Sequence, residues 1–172
     1  NTVKVDAYRT FNGTPDYHYI VRNSELYADS KTDGSGHGEL NIKLDANNSN
    51  YANYIGALSD GAGKETILQA DKISVDFNMA AKQSAVLVSA ANGGKTTIQG
   101  AEALDFTLKG VGKEGRGLSS ASGGELMVED AKTLDITMEG GSAYAVTAEG
   151  AGARTTIEGL DRATIGIGSA YT

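Results

Sequence analysis

The amino-acid sequence predicts an all-β fold: a right-handed parallel β-helix with three strands per coil and about thirty residues per coil. Four segments of the chain align with one another and carry this prediction. They are GAGKETILQADKISVDF (61–77), NGGKTTIQGAEALDFTL (92–108), SGGELMVEDAKTLDITM (122–138) and AGARTTIEGLDRATIGI (151–167). Each segment has a glycine-rich corner, a short strand, a small polar turn and a second, alternating strand. Self-similarity at this period is typical of solenoid proteins.

The second strand of each repeat alternates strictly between apolar and polar residues. Its apolar positions are Ile73, Val75 and Phe77; Leu104, Phe106 and Leu108; Leu134, Ile136 and Met138; and Ala163, Ile165 and Ile167. A period of two indicates a strand with one buried face. The first strands align on Ile67, Ile98, Val128 and Ile157, which lie 31, 30 and 29 residues apart.

A third short strand closes each coil, at residues 57–59, 86–88, 118–120 and 144–147. Stacked coils lie about 4.8 Å apart and bury their apolar faces together, so several coils are needed. The letters GSAY at 141–144 recur at 168–171, where the third strand of the next coil would begin. We therefore expect a solenoid that is truncated in mid-repeat.

The chain is expected to have two parts. Residues 1–35 do not fit the repeat and are interpreted as an irregular N-terminal cap or a preceding coil, and residues 36–172 form the β-helix repeats. Six of the eight tyrosines fall within the first 54 residues. Exposed tyrosines stack on sugar rings, so the alternative is a ligand platform. Tyr17 and Tyr19 are its candidate ligand-binding residues.

Composition excludes several classes of function. The chain has no cysteine, so disulfides and thiolate metal sites are absent. Its 15 Lys and Arg against 22 Asp and Glu give a net charge of -7, which argues against a partner that is a nucleic acid or an anionic membrane. No run approaches the roughly 20 apolar residues of a membrane helix.

The run GSAYAVTAEGAGARTTIEG at 141–159 resembles the passenger-domain repeats of Gram-negative autotransporter adhesins. The resemblance covers roughly residues 55–172 and implies a pectin-lyase-like β-helix, secreted or displayed on the extracellular face of the outer membrane. It also implies roles in adhesion, aggregation, biofilm formation and virulence. The partners would be host or bacterial surface proteins or glycans, or further copies of the protein. Contact with a membrane would occur only through a barrel that this chain does not contain.

Asp105 and Asp135 occupy equivalent outward positions on adjacent coils, about 5 Å apart. This separation is similar to that of a retaining glycosidase pair, and it also makes a candidate cation site. Neither Arg nor His lies near the pair in sequence, and Lys109, four residues after Asp105, is a nearby cation. We therefore expect a solvated pair and no enzymatic activity. A β-helix polysaccharide lyase or glycosidase and a phage tailspike segment remain the alternative functions.

The glycine motifs are interpreted as corners. The sequence GVGKEG at 110–115 has the spacing of a dinucleotide-binding loop, but no helix follows it. The loop at 110–117 is expected to project from the coil, which makes Lys113 and Arg116 candidate ligand-binding residues. The segment 45–50 begins like a calcium-binding loop that starts at Asp45. The twelfth position of such a loop requires a glutamate, but Gly56 occupies it here. We expect no metal and no cofactor.

Overall fold

The computed structural model describes residues 3–12, 17–28, 38–48, 53–79 and 84–168, and these residues contain strands and turns but no helix. The strands, in chain order, are β1 Val3–Asn12, β2 Tyr17–Arg22, β3 Glu25–Ala28, β4 Gly38–Asn48, β5 Asn53–Asp60, β6 Glu65–Ala70, β7 Lys72–Asn78, β8 Ser84–Ala91, β9 Lys95–Lys109, β10 Glu114–Ala121, β11 Glu125–Glu139, β12 Ser142–Glu149, β13 Arg154–Ile157 and β14 Arg162–Gly168. This part of the chain therefore contains no helix that could cross a membrane.

The strand pairs of the described residues are all parallel and build two sheets. Within the described residues, the smaller sheet has five strands in the order β12-β10-β8-β5-β2, and the larger sheet has nine. In the larger sheet, β4, β7, β9, β11 and β14 pair in succession, and β3 and β6 pair beside them. The chain winds as a β-solenoid of about four turns with about 30 residues per coil. The predicted all-β parallel solenoid is confirmed.

Two long strands show how one coil turns inside the larger sheet. The first part of β9 pairs with β6, and its second part pairs with β7. Gly100 lies between the two parts with φ +70°, and Asp130 takes the equivalent position in β11 with φ +50°. Each coil therefore has three straight segments: one in the smaller sheet and two in the larger sheet.

The core consists of rows of apolar side chains, and each row stacks residues from equivalent positions of successive coils. Phe106 pairs with Val75 on one side and Ile136 on the other, and all three side chains are buried. The neighbouring rows contain Leu40, Ile73, Leu104 and Leu134, and Leu44, Phe77, Leu108 and Met138. The predicted second-strand rows are thus confirmed, including the pairing of Ile165 with Ile136. Each coil buries its apolar face against the next.

The prediction that Ile67 aligns with Ile98 is wrong by one residue. Leu68 pairs with Ile98 and is fully buried, whereas Ile67 pairs with Thr97 and is half-buried. Successive side chains of a strand point to opposite faces, so a shift of one residue turns Ile67 away from the core. The buried row therefore contains Leu68, Ile98 and Val128.

The first three strands pair within the same two sheets. β1 pairs with β4, β2 with β5, and β3 with β6. The proposed boundary at residue 35 lies between β3 and β4, in a segment outside the described residues, and it stays a prediction. The repeated GSAY letters at 168–171 also fall largely outside the described residues.

Candidate ligand-binding groove

The outer face of the smaller sheet brings two of the predicted site residues into one row. Parallel pairing across β2, β5, β8, β10 and β12 aligns Tyr19, Ile55, Val86, Arg116 and Tyr144. Tyr19 and Arg116 are three strand spacings apart, about 14 Å. They lie 97 residues apart in the sequence, and the solenoid places them on a single surface.

A surface groove of about 430 Å³, here called the outer groove, crosses β5, β8 and β10 between these two residues. Its lining includes Asn53, Ile55, Leu58, Asp60, Ser84, Val86, Ser89, Asn92, Glu114, Arg116 and Ser119. Ile55 and Leu58 are only 3% and 4% exposed, yet they lie outside the hydrophobic core cluster. They therefore form a buried apolar floor beneath the outer groove, and the half-buried Val86 beside them supplies apolar surface that is open to solvent.

The strand geometry explains why apolar side chains occur on this outer face. Leu87 and Val88 are consecutive residues of β8 and both belong to the core, so the alternation of the strand is interrupted there. The β5–β8 and β8–β10 ladders each lack a residue pair at this level of the strands, which is occupied by Gly56, Leu87 and Gly117. A side chain at Gly56 would overlap the carbonyl oxygen of Leu87. The interruption places Ile55 and Leu58 in the groove on either side of this level.

Arg116 forms the ion-pair centre at one side of the outer groove. Its Nε donates to Oε1 of Glu114 at 2.6 Å, and its Nη1 donates to Oε2 of Glu149 at 2.8 Å. Partial burial lowers the pKa of Arg116, but the hydrogen bonds to Glu149 and Glu114 outweigh this effect and the pKa is raised. The side chain of Arg116 is only 18% exposed, so these bonds hold it in a defined position.

Arg22 and Asp60 form the ion pair at the other side. Nη2 of Arg22 donates to Oδ2 of Asp60 at 2.7 Å, and Nη1 donates to the phenol oxygen of Tyr19 at 3.2 Å. The guanidinium also lies 5.1 Å from the centre of the Tyr19 ring, within the range of a cation–π contact. Asn92 donates from Nδ2 to Oδ1 of Asp60 at 2.8 Å. Both oxygens of Asp60 are therefore bound.

The hydrogen bond from Asn92 and the pairing with Arg22 lower the pKa of Asp60, against a smaller opposing effect of burial. A folded pKa below the unfolded value, about 3.9, gives stability that is fully present above that value. That stability is lost as the pH falls through the folded pKa.

We expect the free energy of unfolding to fall more between pH 6 and pH 3 in the wild-type protein than in Asp60→Asn. Urea unfolding at the two pH values measures this difference. The other carboxylates are common to both proteins, so the comparison isolates Asp60. An equal loss in both proteins would show that Asp60 does not titrate in this way.

The other two predicted ligand residues are Lys113 and Tyr17. Lys113 is exposed in the turn before β10. Tyr17 pairs through its backbone with Asn53, but its side chain lies outside the described residues.

The expectation of a projecting loop at 110–117 is wrong. β10 begins at Glu114, and Val111 is buried, so only a short turn leaves the coil.

Asp105 and Asp135 are direct partners in the β9–β11 ladder, as the repeat predicts. Ser74 and Thr164 occupy the equivalent positions on the flanking strands. The aspartates lie on the larger sheet and do not line the outer groove. Across the described part of the chain, no three His, Cys, Asp or Glu side chains are grouped so as to hold a metal ion. Their assignment as a cation site stays a prediction.

Sequence reasoning missed the partners of the groove arginines. Arg22 and Asp60 are 38 residues apart, and Arg116 and Glu149 are 33 residues apart, so neither pair forms a local motif. The signal that could have found them is a set of charged residues at outward positions on the third strand of each coil. Arg22, Asp60, Glu114 and Arg116 all lie in or at the ends of these strands.

Comparisons with known proteins identify no relative. No protein-family model matches the chain, and no curated protein sequence or solved structure is significantly similar to it. The β-solenoid therefore rests on the parallel pairing described above. The resemblance to autotransporter passengers rests on the repeat pattern alone.

Proposed function

We propose that this protein is an adhesion module of the autotransporter-passenger type, displayed on a cell surface or secreted, and that it binds surface ligands through the outer groove. The observation that carries the proposal is the common row of Tyr19 and Arg116 beside a buried apolar floor. An apolar surface with a few fixed polar groups is the usual composition of a ligand site.

The architecture supports binding along the side of the solenoid. Solenoids present extended lateral surfaces, and their partners commonly bind there. The ion pairs of Arg22 and Arg116 hold their side chains in place before a ligand arrives. Preorganised side chains lose less conformational entropy on binding, which favours affinity.

An enzymatic function receives less support from the geometry. A retaining mechanism needs one carboxylic acid and one carboxylate flanking a bound sugar. Asp105 and Asp135 lie outside the outer groove, and the carboxylates that line it, Asp60 and Glu114, are paired with Arg22 and Arg116. We therefore assign binding, and not hydrolysis, to the face of the smaller sheet.

The proposal predicts that the immobilised protein retains Gram-negative bacterial cells or cultured epithelial cells. The double variant Tyr19→Ala, Arg116→Ala should retain at least about tenfold fewer cells, because removing one contact from each side of the groove costs about 1.4 kcal/mol or more. Flow-chamber counts of attached cells measure the effect.

Arg162→Ala is the matched control, because Arg162 is an exposed arginine on β14 of the larger sheet. It should retain as many cells as the wild-type protein. Circular dichroism of each variant checks that the solenoid is intact. Equal retention by the folded double variant, or no retention by the wild-type protein, would refute the proposed function.

A further inference from the structure

We propose that the outer groove binds an uncharged oligosaccharide, which lies across β5, β8 and β10 along the solenoid axis. This inference rests on the proposed function, because it names the ligand class for the same groove. Three features of the groove support it: the apolar floor with its hydroxyl groups, the balance of charge, and the pairing of the backbone.

The floor of the outer groove combines apolar and hydroxyl surfaces. Val86 contributes the accessible apolar part above the buried Ile55 and Leu58, and the largely buried Ser89 and Ser119 lie beside them. Ser119 also accepts a hydrogen bond from Thr147 at 2.9 Å. A sugar ring has an apolar face of C–H groups and an edge of hydroxyl groups. Its face can pack on Val86 while its hydroxyls bond to polar side chains at the rim.

The charges around the groove are nearly balanced. Arg22 and Arg116 are opposed by three carboxylates, those of Asp60, Glu114 and Glu149, which leaves a net charge of -1. Each arginine is bonded to carboxylate, so an acidic ligand must compete with these pairs. An uncharged ligand with hydroxyl groups can instead donate to the carboxylates and accept from the guanidinium groups without breaking the pairs.

The backbone of the groove is not available to an extended peptide. Peptides that bind to sheets commonly add a strand at an exposed edge, where free N–H and C=O groups supply hydrogen bonds. β8, at the centre of the groove, pairs with β5 on one side and with β10 on the other. A ligand on this face must therefore be recognised through side chains, which favours a sugar over a peptide.

Isothermal titration calorimetry of the whole chain tests the proposal. The probes are a panel of uncharged hexasaccharides of glucose, mannose and galactose, oligogalacturonate of equal length, and an unstructured peptide of similar mass. We expect at least one uncharged sugar to bind, with an affinity at least tenfold higher than that of oligogalacturonate or the peptide. Arg116→Ala should weaken this binding at least tenfold, Arg116→Lys should restore part of it, and Arg162→Ala should leave it unchanged.

Ala91→Trp provides a second test that removes no polar group. Ala91 lines the groove at the end of β8, and an indole ring at this position should fill the groove and abolish sugar binding. The inference is overturned if no uncharged sugar binds, if oligogalacturonate or the peptide binds as tightly, or if the folded Ala91→Trp variant binds like the wild type. Cell attachment that persists without sugar binding would refute this ligand class alone. Loss of both would also refute the proposed function.

Discussion

Replacement of Phe106 by alanine should lower the free energy of unfolding by about 3–5 kcal/mol. The phenyl ring is fully buried at the centre of a row, where its strand neighbours are Val75 and Ile136. Truncation removes apolar surface from the core and leaves a cavity between two coils, since the parallel ladders on both sides restrict relaxation. Urea unfolding followed by far-ultraviolet circular dichroism measures the loss.

Lys109→Ala is the control for Phe106→Ala, because Lys109 ends the same strand and is exposed. A surface substitution of this kind should change stability by no more than about 0.5 kcal/mol. A loss below about 1 kcal/mol in Phe106→Ala would show that the ring is not enclosed by the neighbouring coils.

The row that contains Phe106 could be predicted from sequence because the repeats from 92 onward have nearly constant length. Leu104, Phe106 and Leu108 alternate with polar residues, so only one register aligns them with the apolar residues of the next coil. The first strand was harder to align. Ile67 and Leu68 are adjacent and both apolar, so the pattern did not show which one faces the core. Only the pairing of Leu68 with Ile98 decides this.

The N-terminal strands show a different limit of sequence reasoning. β1 pairs with β4 over its whole length, although its sequence, VKVDAYRTFN, does not match the repeat. A parallel ladder is held by backbone hydrogen bonds, which do not require similar side chains. Sequence similarity between coils is thus sufficient to predict pairing, but it is not necessary.

The outer groove was predictable only in part. Tyr19 was a candidate because tyrosines cluster in the N-terminal part of the chain, and Arg116 because the loop at 110–117 was expected to project from the coil. Their alignment in one row, however, follows from the parallel pairing of β2, β5, β8 and β10, which the sequence of the two residues does not show. Ile55 and Leu58 were not identified, because an apolar residue in a strand is normally assigned to the core. Their position outside the core results from the interrupted alternation of these strands.

Replacement of Gly124 by alanine should destabilise the solenoid by about 3 kcal/mol or more, since the clash is with backbone and not with a flexible side chain. Gly124 lies at the corner between β10 and β11, where its N–H donates to the carbonyl of Ala121 at 2.9 Å. A Cβ atom here would overlap the carbonyl group of Ala90 and lie 2.7 Å from the nitrogen of Ala91. The two coils would have to separate locally, which weakens the ladders on both sides of the corner.

Two further glycines separate this steric effect from the general cost of replacing glycine. Gly166 has open space around its Cβ position and no positive φ, so Gly166→Ala should change stability by less than about 0.5 kcal/mol. Gly63 also has open space but a φ of +73°, so Gly63→Ala should cost about 1–2 kcal/mol through backbone strain alone. Urea unfolding of the three variants should rank Gly124 above Gly63 and Gly63 above Gly166. If Gly124→Ala cost no more than Gly63→Ala, close contact between coils would not be the reason for glycine at this corner.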